Sequence, residues 1–148
     1  MLFRSDWSSE WLMLFNEKKC KVLHVGISNT KFAYSIKSLT IEKVEIEKDL
    51  GVMISSDLKT LSQCNYACSK ANKMLGLVKR AIKSRSMDIM LLLFKSLVRP
   101  HVEYCSSVWF PYFKKDKNQT ERIQHGFTRL FPDLIDKPYE DRLAVLDL

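Results

Sequence analysis

Cys64 and Cys68 stand four residues apart, and His101 and Cys105 repeat that spacing further along the chain. Thiolates and imidazoles are the usual zinc ligands, and two such pairs on two helices make a four-ligand set. Both cysteines of the first pair also fall on an apolar seam, and cysteine is among the residue types most often simply buried. Free core thiols are therefore expected, with no metal. Nucleophilic catalysis finds no better footing. Gly26-Ile-Ser28 lacks the second glycine of a nucleophile elbow, and His24, His101 and His125 have no Ser or Cys companion. The glycines are isolated at Gly26, Gly51, Gly76 and Gly126, so no phosphate-cradling loop exists. Two-metal phosphoryl transfer requires carboxylates converging on both ions. No two aspartates are adjacent; Asp49 and Asp57 come nearest, and Asp57 reads better as a helix cap. Self-contained catalysis is not expected, nor a cofactor in this chain.

The basic residues are more informative. The formal net charge is +7, which favours polyanionic partners. Up to Ser56 there are 8 basic and 7 acidic residues, and from Asp57 onward 16 and 10. Between Lys70 and Arg99 eight basic residues (Lys70, Lys73, Lys79, Arg80, Lys83, Arg85, Lys95, Arg99) meet one acid, Asp88. A helix with an apolar seam and a Lys/Arg outer face can lay its charges along a phosphate backbone. Tyr104, Trp109, Phe110, Tyr112 and Phe113 stand beside Lys114, Lys115 and Lys117, a mixture found where bases or sugars are contacted. The competing reading makes the lysines a solvated face and the aromatics core.

The elements that must position these groups follow from periodicity. Trp7, Trp11, Leu14 and Phe15 have the spacing of a short amphipathic helix, whose heavy aromatic face calls for a partner surface. Lys21 to Val25 reads as a strand and Gly26 to Thr30 as the turn after it. Lys31 to Ile36 and Thr40 to Glu47 alternate apolar with polar residues, which predicts antiparallel pairing in a small sheet, closed by Leu50 to Ile54. At Ser55-Ser-Asp57 capping oxygens announce a helix. Beyond them Leu61, Cys64, Cys68, Ala71, Leu75, Val78 and Ile82 alternate spacings of three and four, an apolar seam of seven-residue period. Further helices are expected over Met87–Val98, ending before Arg99-Pro100, then Val102–Phe110, Asp116–Leu130 and Tyr139–Leu146. The fold class is α+β: a small antiparallel sheet over residues 1–55, then a helical, basic lobe over 56–148.

At 148 residues, 46% hydrophobic and 28% charged, the chain has the composition of a globular protein of one domain or two small lobes. Its longest apolar run, Ile89-Met-Leu-Leu-Leu-Phe94, is far short of the roughly 20 residues that span a bilayer. No membrane contact is expected, and no secretory signal opens the chain. An intracellular location follows, in which the four cysteines stay reduced.

Four runs, in order, resemble the downstream half of reverse transcriptases from non-long-terminal-repeat retrotransposons, the jockey-like elements. They are Trp11-Leu-Met-Leu-Phe-Asn-Glu-Lys-Lys-Cys-Lys-Val-Leu-His-Val-Gly26, Lys48-Asp-Leu-Gly-Val-Met-Ile-Ser55, Lys70-Ala-Asn-Lys-Met-Leu-Gly76, and Leu97-Val-Arg-Pro-His-Val-Glu-Tyr-Cys105 with Val108-Trp-Phe-Pro111. The resemblance implies a palm edge over 1–55 and a thumb-like region over 56–148. It implies that Leu50 and Gly51 match the turn supporting a primer end. It also implies that the thumb holds an RNA/DNA template–primer through backbone contacts, which the basic residues Lys70, Lys73, Lys79, Arg80, Lys83 and Arg85 independently suit. Lys19 matches a lysine that assists departure of pyrophosphate. The family's catalytic Ala-Asp-Asp turn is expected upstream of Trp7, with the rest of the palm, the fingers and the endonuclease, so this piece is expected to be inactive alone. By the same resemblance the full-length enzyme would use Mg and act in the nucleus. An interaction or structural protein, with the basic helix as its wet face, is the alternative.

Overall fold

Short alternating stretches and one long apolar seam set up two different kinds of structure in this chain. A computed structural model describes residues 7–8, 10–13, 16–36, 39–82 and 86–148. The fold is α+β, and the chain divides into two compact units: residues 1–47 with 55–58, and residues 48–54 with 59–148.

The first unit is built from strands of two or three residues. β1 (Lys21–Leu23) pairs with β4 (Glu42–Val44), while β2 (Ser35–Ile36) pairs with β3 (Leu39–Thr40). The β2–β3 pair is antiparallel, as alternation suggested, but β1 and β4 run parallel, with Lys21, Val22 and Leu23 opposite Glu42, Lys43 and Val44. A parallel pair needs a long crossover, and the segment between β1 and β4 supplies one, with the β2–β3 pair inside it. Lys21 and Glu42 form an ion pair across the register. The expected turn after β1 is present: Gly26 has φ +90°, and Asn29 Oδ1 accepts from the Lys31 N–H at 2.8 Å. Near the start, the Trp11 N–H donates to the Trp7 carbonyl at 3.0 Å, and both indoles are exposed. Leu14 and Phe15 of the expected aromatic face lie outside the described residues. Among the described residues every buried apolar side chain belongs to the second unit.

The second unit opens with a turn that lies ahead of the boundary expected at residue 55. β5 (Ile46–Asp49) pairs with β6 (Val52–Ser55) around Leu50-Gly51, and residues 48–54 belong with the helices. Burial explains this. Val52 packs in a small cluster with Cys64, Ala67 and Trp109, and the Gln63 Oε1 accepts from the Met53 N–H at 2.8 Å.

Helix α1 (Leu61–Ala81) buries Cys64, Cys68, Ala71, Leu75 and Val78 of the expected seam, with Gln63 and Ala67 beside them; Leu61 is exposed, and Ile82, the C-cap, packs half-buried against the core. Its N-cap is Thr60 rather than Ser55-Ser-Asp57; Asp57 instead accepts from the Ser55 Oγ at 2.7 Å. From Cys68 onward the seam joins the main core with Met90, Phe94, Val98, Ile123, Phe127, Phe131, Leu134 and Leu146. Phe94 and Phe127 stack with centroids 4.1 Å apart.

The helix expected to stop before Arg99-Pro100 continues. α2 (Met87–Leu93) passes into a π segment (Phe94–Val98) and then α3 (Arg99–Glu103). Proline removes an N–H and crowds the preceding turn. The wider π turn gives the ring room, and Pro100 falls in the first turn of the next segment, where the missing donor is least costly. The helix expected over Val102–Phe110 is interrupted by Cys105, whose φ of +52° separates α3 from α4 (Ser106–Trp109). α5 (Lys114–Thr128) and α6 (Tyr139–Leu146) fall close to where periodicity placed them, parted by a 3-10 turn at Pro132–Leu134. On α6 the buried Arg142 approaches His125 of α5, Nη2 to Nε2, at 3.2 Å.

Candidate nucleic-acid interface

Two residues in the left-handed region make the β5–β6 turn: Leu50 at φ +44° and Gly51 at φ +88°. A two-residue hairpin turn of this kind matches the twist of its strands, but only glycine, asparagine and aspartate adopt it readily. Gly51 is needed for a second reason. A Cβ there would stand 3.0 Å from Cε1 of Tyr104. The Tyr104 hydroxyl donates to the Leu50 carbonyl at 3.0 Å, so α3 and its C-cap hold the turn from beneath.

Around this turn lies a shallow pocket of about 160 Å³ lined by Lys48, Gly51, Gln63, Tyr66, Lys70, His101 and their neighbours Ala67 and Tyr104. Tyr66 and Lys70 face it together because residues four apart on a helix are neighbours. The Lys48 ammonium sits 5.1 Å and the Lys70 ammonium 4.8 Å from the centroid of the Tyr66 ring. Lys48 and then Lys70 hold the Tyr66 hydroxyl below the usual phenol range. The lining contains three basic side chains and no carboxylate. Its volume is below the roughly 300 Å³ at which small-molecule clefts begin, and it suits one anionic group approaching from solvent.

The sequence-derived site residues divide. Leu50, Gly51 and Lys70 are brought together. Lys73 and Arg80 lie on the flank of α1 that carries Tyr66 and Lys70, while Lys79 projects about 180° from Lys70. All four of these basic side chains are exposed. Lys83 and Arg85 lie outside the described residues. Lys95 pairs with Asp147 at 3.6 Å and Arg99 with Glu103, so these two are partly neutralised within the fold. Lys19 is exposed at the end of a 3-10 turn (Glu17–Lys19) in the first unit. Of the pocket residues, Lys48, Gln63 and Tyr66 were not singled out as site residues in the sequence; for Tyr66 the available signal was its position four residues before Lys70. His101 and Tyr104 were weighed there, but not with Leu50 and Gly51.

The other chemistry weighed in the sequence resolves simply. Cys64 and Cys68 are free and buried, in two different clusters. Burial pushes the Cys68 thiol up to about 11 and raises that of Cys64 as well. Among the described residues there is no group of three or more His, Cys, Asp or Glu that could hold a metal ion. No helix among the described residues is long and apolar enough to cross a membrane. Comparison with protein-family models, with curated proteins and with solved structures finds no match.

Proposed function

We propose that this chain is a nucleic-acid-backbone-binding segment, derived from the palm edge and thumb of a jockey-like retrotransposon reverse transcriptase and without polymerase activity of its own. The observation that carries it is the basic pocket that unites the Leu50-Gly51 turn with Lys70 of α1. Resemblance pointed separately to these two features, as a primer-supporting turn and as a duplex-holding helix, and in the fold they line one site. Lys48 and Lys70 supply donors and positive charge for a phosphate, His101 lines the pocket beside them, and the turn and Tyr104 supply its floor. Lys73 and Arg80 extend the charge along α1. Template–primer is the partner this reading assigns, and the nucleus is the place of action it carries with it. Lys19 has no metal-bound nucleotide to protonate in such a segment and is assigned no catalytic step.

The test is binding of a labelled RNA–DNA hybrid at low salt by the full chain and by a Lys48→Gln/Lys70→Gln variant. The proposal expects the variant to bind at least about tenfold more weakly, since each lost charge-assisted contact is worth roughly 1.5–3 kcal/mol in a favourable geometry. Absence of binding by the unmodified chain at low salt would leave the interaction-protein alternative. The origin has its own test in the genomic sequence upstream of Met1. An in-frame or decayed Ala-Asp-Asp motif there supports it, and unrelated sequence sinks it.

A further inference from the structure

The segment from Val108 to Lys117 exposes more aromatic surface than folding explains. Val108 is 70%, Phe110 67%, Tyr112 85% and Phe113 53% exposed. These residues are not a frayed loop. Trp109 is buried, its indole N–H donates to the Tyr104 carbonyl at 2.6 Å, and Pro111 is buried too. Inward residues thus alternate with outward ones, and the anchors at 109 and 111 fix Phe110 and Tyr112 on the outside. Tyr112 and Phe113 meet edge to face at 5.5 Å. Directly after them come Lys114, Lys115 and Lys117, all exposed, while Asp116, the acid among them, is turned inward and buried. The result is a cluster of exposed aromatic rings, Tyr112 and Phe113 perpendicular to each other, followed by exposed ammonium groups.

We infer that Phe110, Tyr112 and Phe113 form a stacking platform for the unpaired bases of a single-stranded nucleic acid, with Lys114, Lys115 and Lys117 on its phosphates. Charge complementarity selects a polyanion, and the rings select one with exposed π faces. In a duplex the base faces are covered by their neighbours, so only an unpaired strand can stack on these rings. An anionic membrane would share the charge preference but fits the geometry poorly. The Lys117 ammonium lies over one face of the Phe110 ring, 5.1 Å from its centroid, so inserting that ring among acyl chains would bring the cation toward them, while a base can stack on the ring's other face. This inference does not rest on the pocket at Gly51, which takes a backbone phosphate and reads no base.

The experiment compares a fluorescent thymidylate dodecamer with an abasic strand of the same length and charge, using the full chain at low salt. Base–aromatic stacking makes the thymidylate strand bind at least about fivefold more tightly, and Phe110→Ala/Tyr112→Ala/Phe113→Ala abolishes that ratio while leaving the abasic strand's affinity unchanged. Tyr112→Ala alone, at the most exposed ring, lowers the ratio part of the way and serves if the triple variant does not fold. Lys114→Gln/Lys115→Gln/Lys117→Gln weakens both strands alike. Lys48→Gln/Lys70→Gln keeps the ratio, so failure of the pocket and failure of the platform read out separately. Equal binding of the two strands by the unmodified chain, or binding of neither, overturns the inference. So does ring-dependent binding to phosphatidylserine vesicles without a preference for bases.

Discussion

Gly51→Ala and Leu50→Asn should move the stability of the second unit in opposite directions, by amounts that follow from the turn itself. An alanine at φ +88° pays about 1–2 kcal/mol for a left-handed backbone. Its Cβ also meets the Tyr104 ring at 3.0 Å, tighter than nearly all real Cβ contacts, so the ring must give by a few tenths of an ångström. Tyr104 must shift, which endangers its hydrogen bond to the Leu50 carbonyl, worth about 0.5–1.5 kcal/mol. The combined loss is about 2–3 kcal/mol. Leu50 is already in a left-handed conformation at φ +44°, and its side chain is 84% exposed, so it gives up little packing when replaced. Asparagine accepts that backbone with less strain, and Leu50→Asn should add about 0.5–1 kcal/mol. Equilibrium urea unfolding, followed by the buried Trp109, measures both, with Tyr104→Phe isolating the hydrogen bond. A Gly51→Ala cost below about 0.5 kcal/mol, or destabilisation by Leu50→Asn, would refute the account of the turn as the strained floor of the pocket.

Three further outcomes are expected. The Cys68 thiol, raised from 9.0 to about 11 by burial, should resist alkylation at pH 8 while the half-buried Cys20 and Cys105 react first; because the fold favours its protonated form, the stability it contributes is full below pH 9 and is lost as pH rises toward 11. His125 is held below 6.5 by desolvation and by the charges of Arg129 and Arg142, so the unfolded chain takes up that proton more readily; stability should fall as pH drops below about 6.5, and His125→Gln should flatten the profile in urea titrations at several pH values. Lys114 and Lys115 sit in the first turn of α5, the wrong end of the helix dipole for a cation, so Lys115→Glu should raise the thermal midpoint, by about 0.3–1 kcal/mol in stability, while weakening binding to the thymidylate strand.

Local patterns were the legible part of this fold. The cysteine-containing seam of α1, the helix from Tyr139 to Leu146 and the Gly26 turn each depend on neighbours a few residues apart, so spacing alone exposes them. The parallel β1–β4 pair was not legible, because two-residue alternation marks a face and says nothing about strand direction. Pro100 misled for a related reason. Its local preference is to end a helix, and packing of Phe94 and Val98 into the core keeps the helical path going through a π turn instead. Of the candidate site, the charges on α1 were legible in the sequence, but their division was not read there: Lys70, Lys73 and Arg80 lie on one flank and Lys79 on the other. The pocket itself was hidden, since Leu50 and Tyr104 are 54 residues apart and only the tertiary fold joins them.

The salt dependence of binding to a short DNA duplex tests the central claim most directly. If Lys48, Lys70, Lys73 and Arg80 each neutralise one phosphate, log K falls against log salt with a slope of about −3.6, a loss of roughly 150-fold between about 50 and about 200 mM salt. Removing two of the four in Lys48→Gln/Lys70→Gln should halve the slope to about −1.8 and the loss to roughly 12-fold. A slope near zero, or one that the double substitution leaves unchanged, would contradict phosphate binding at the Gly51 pocket.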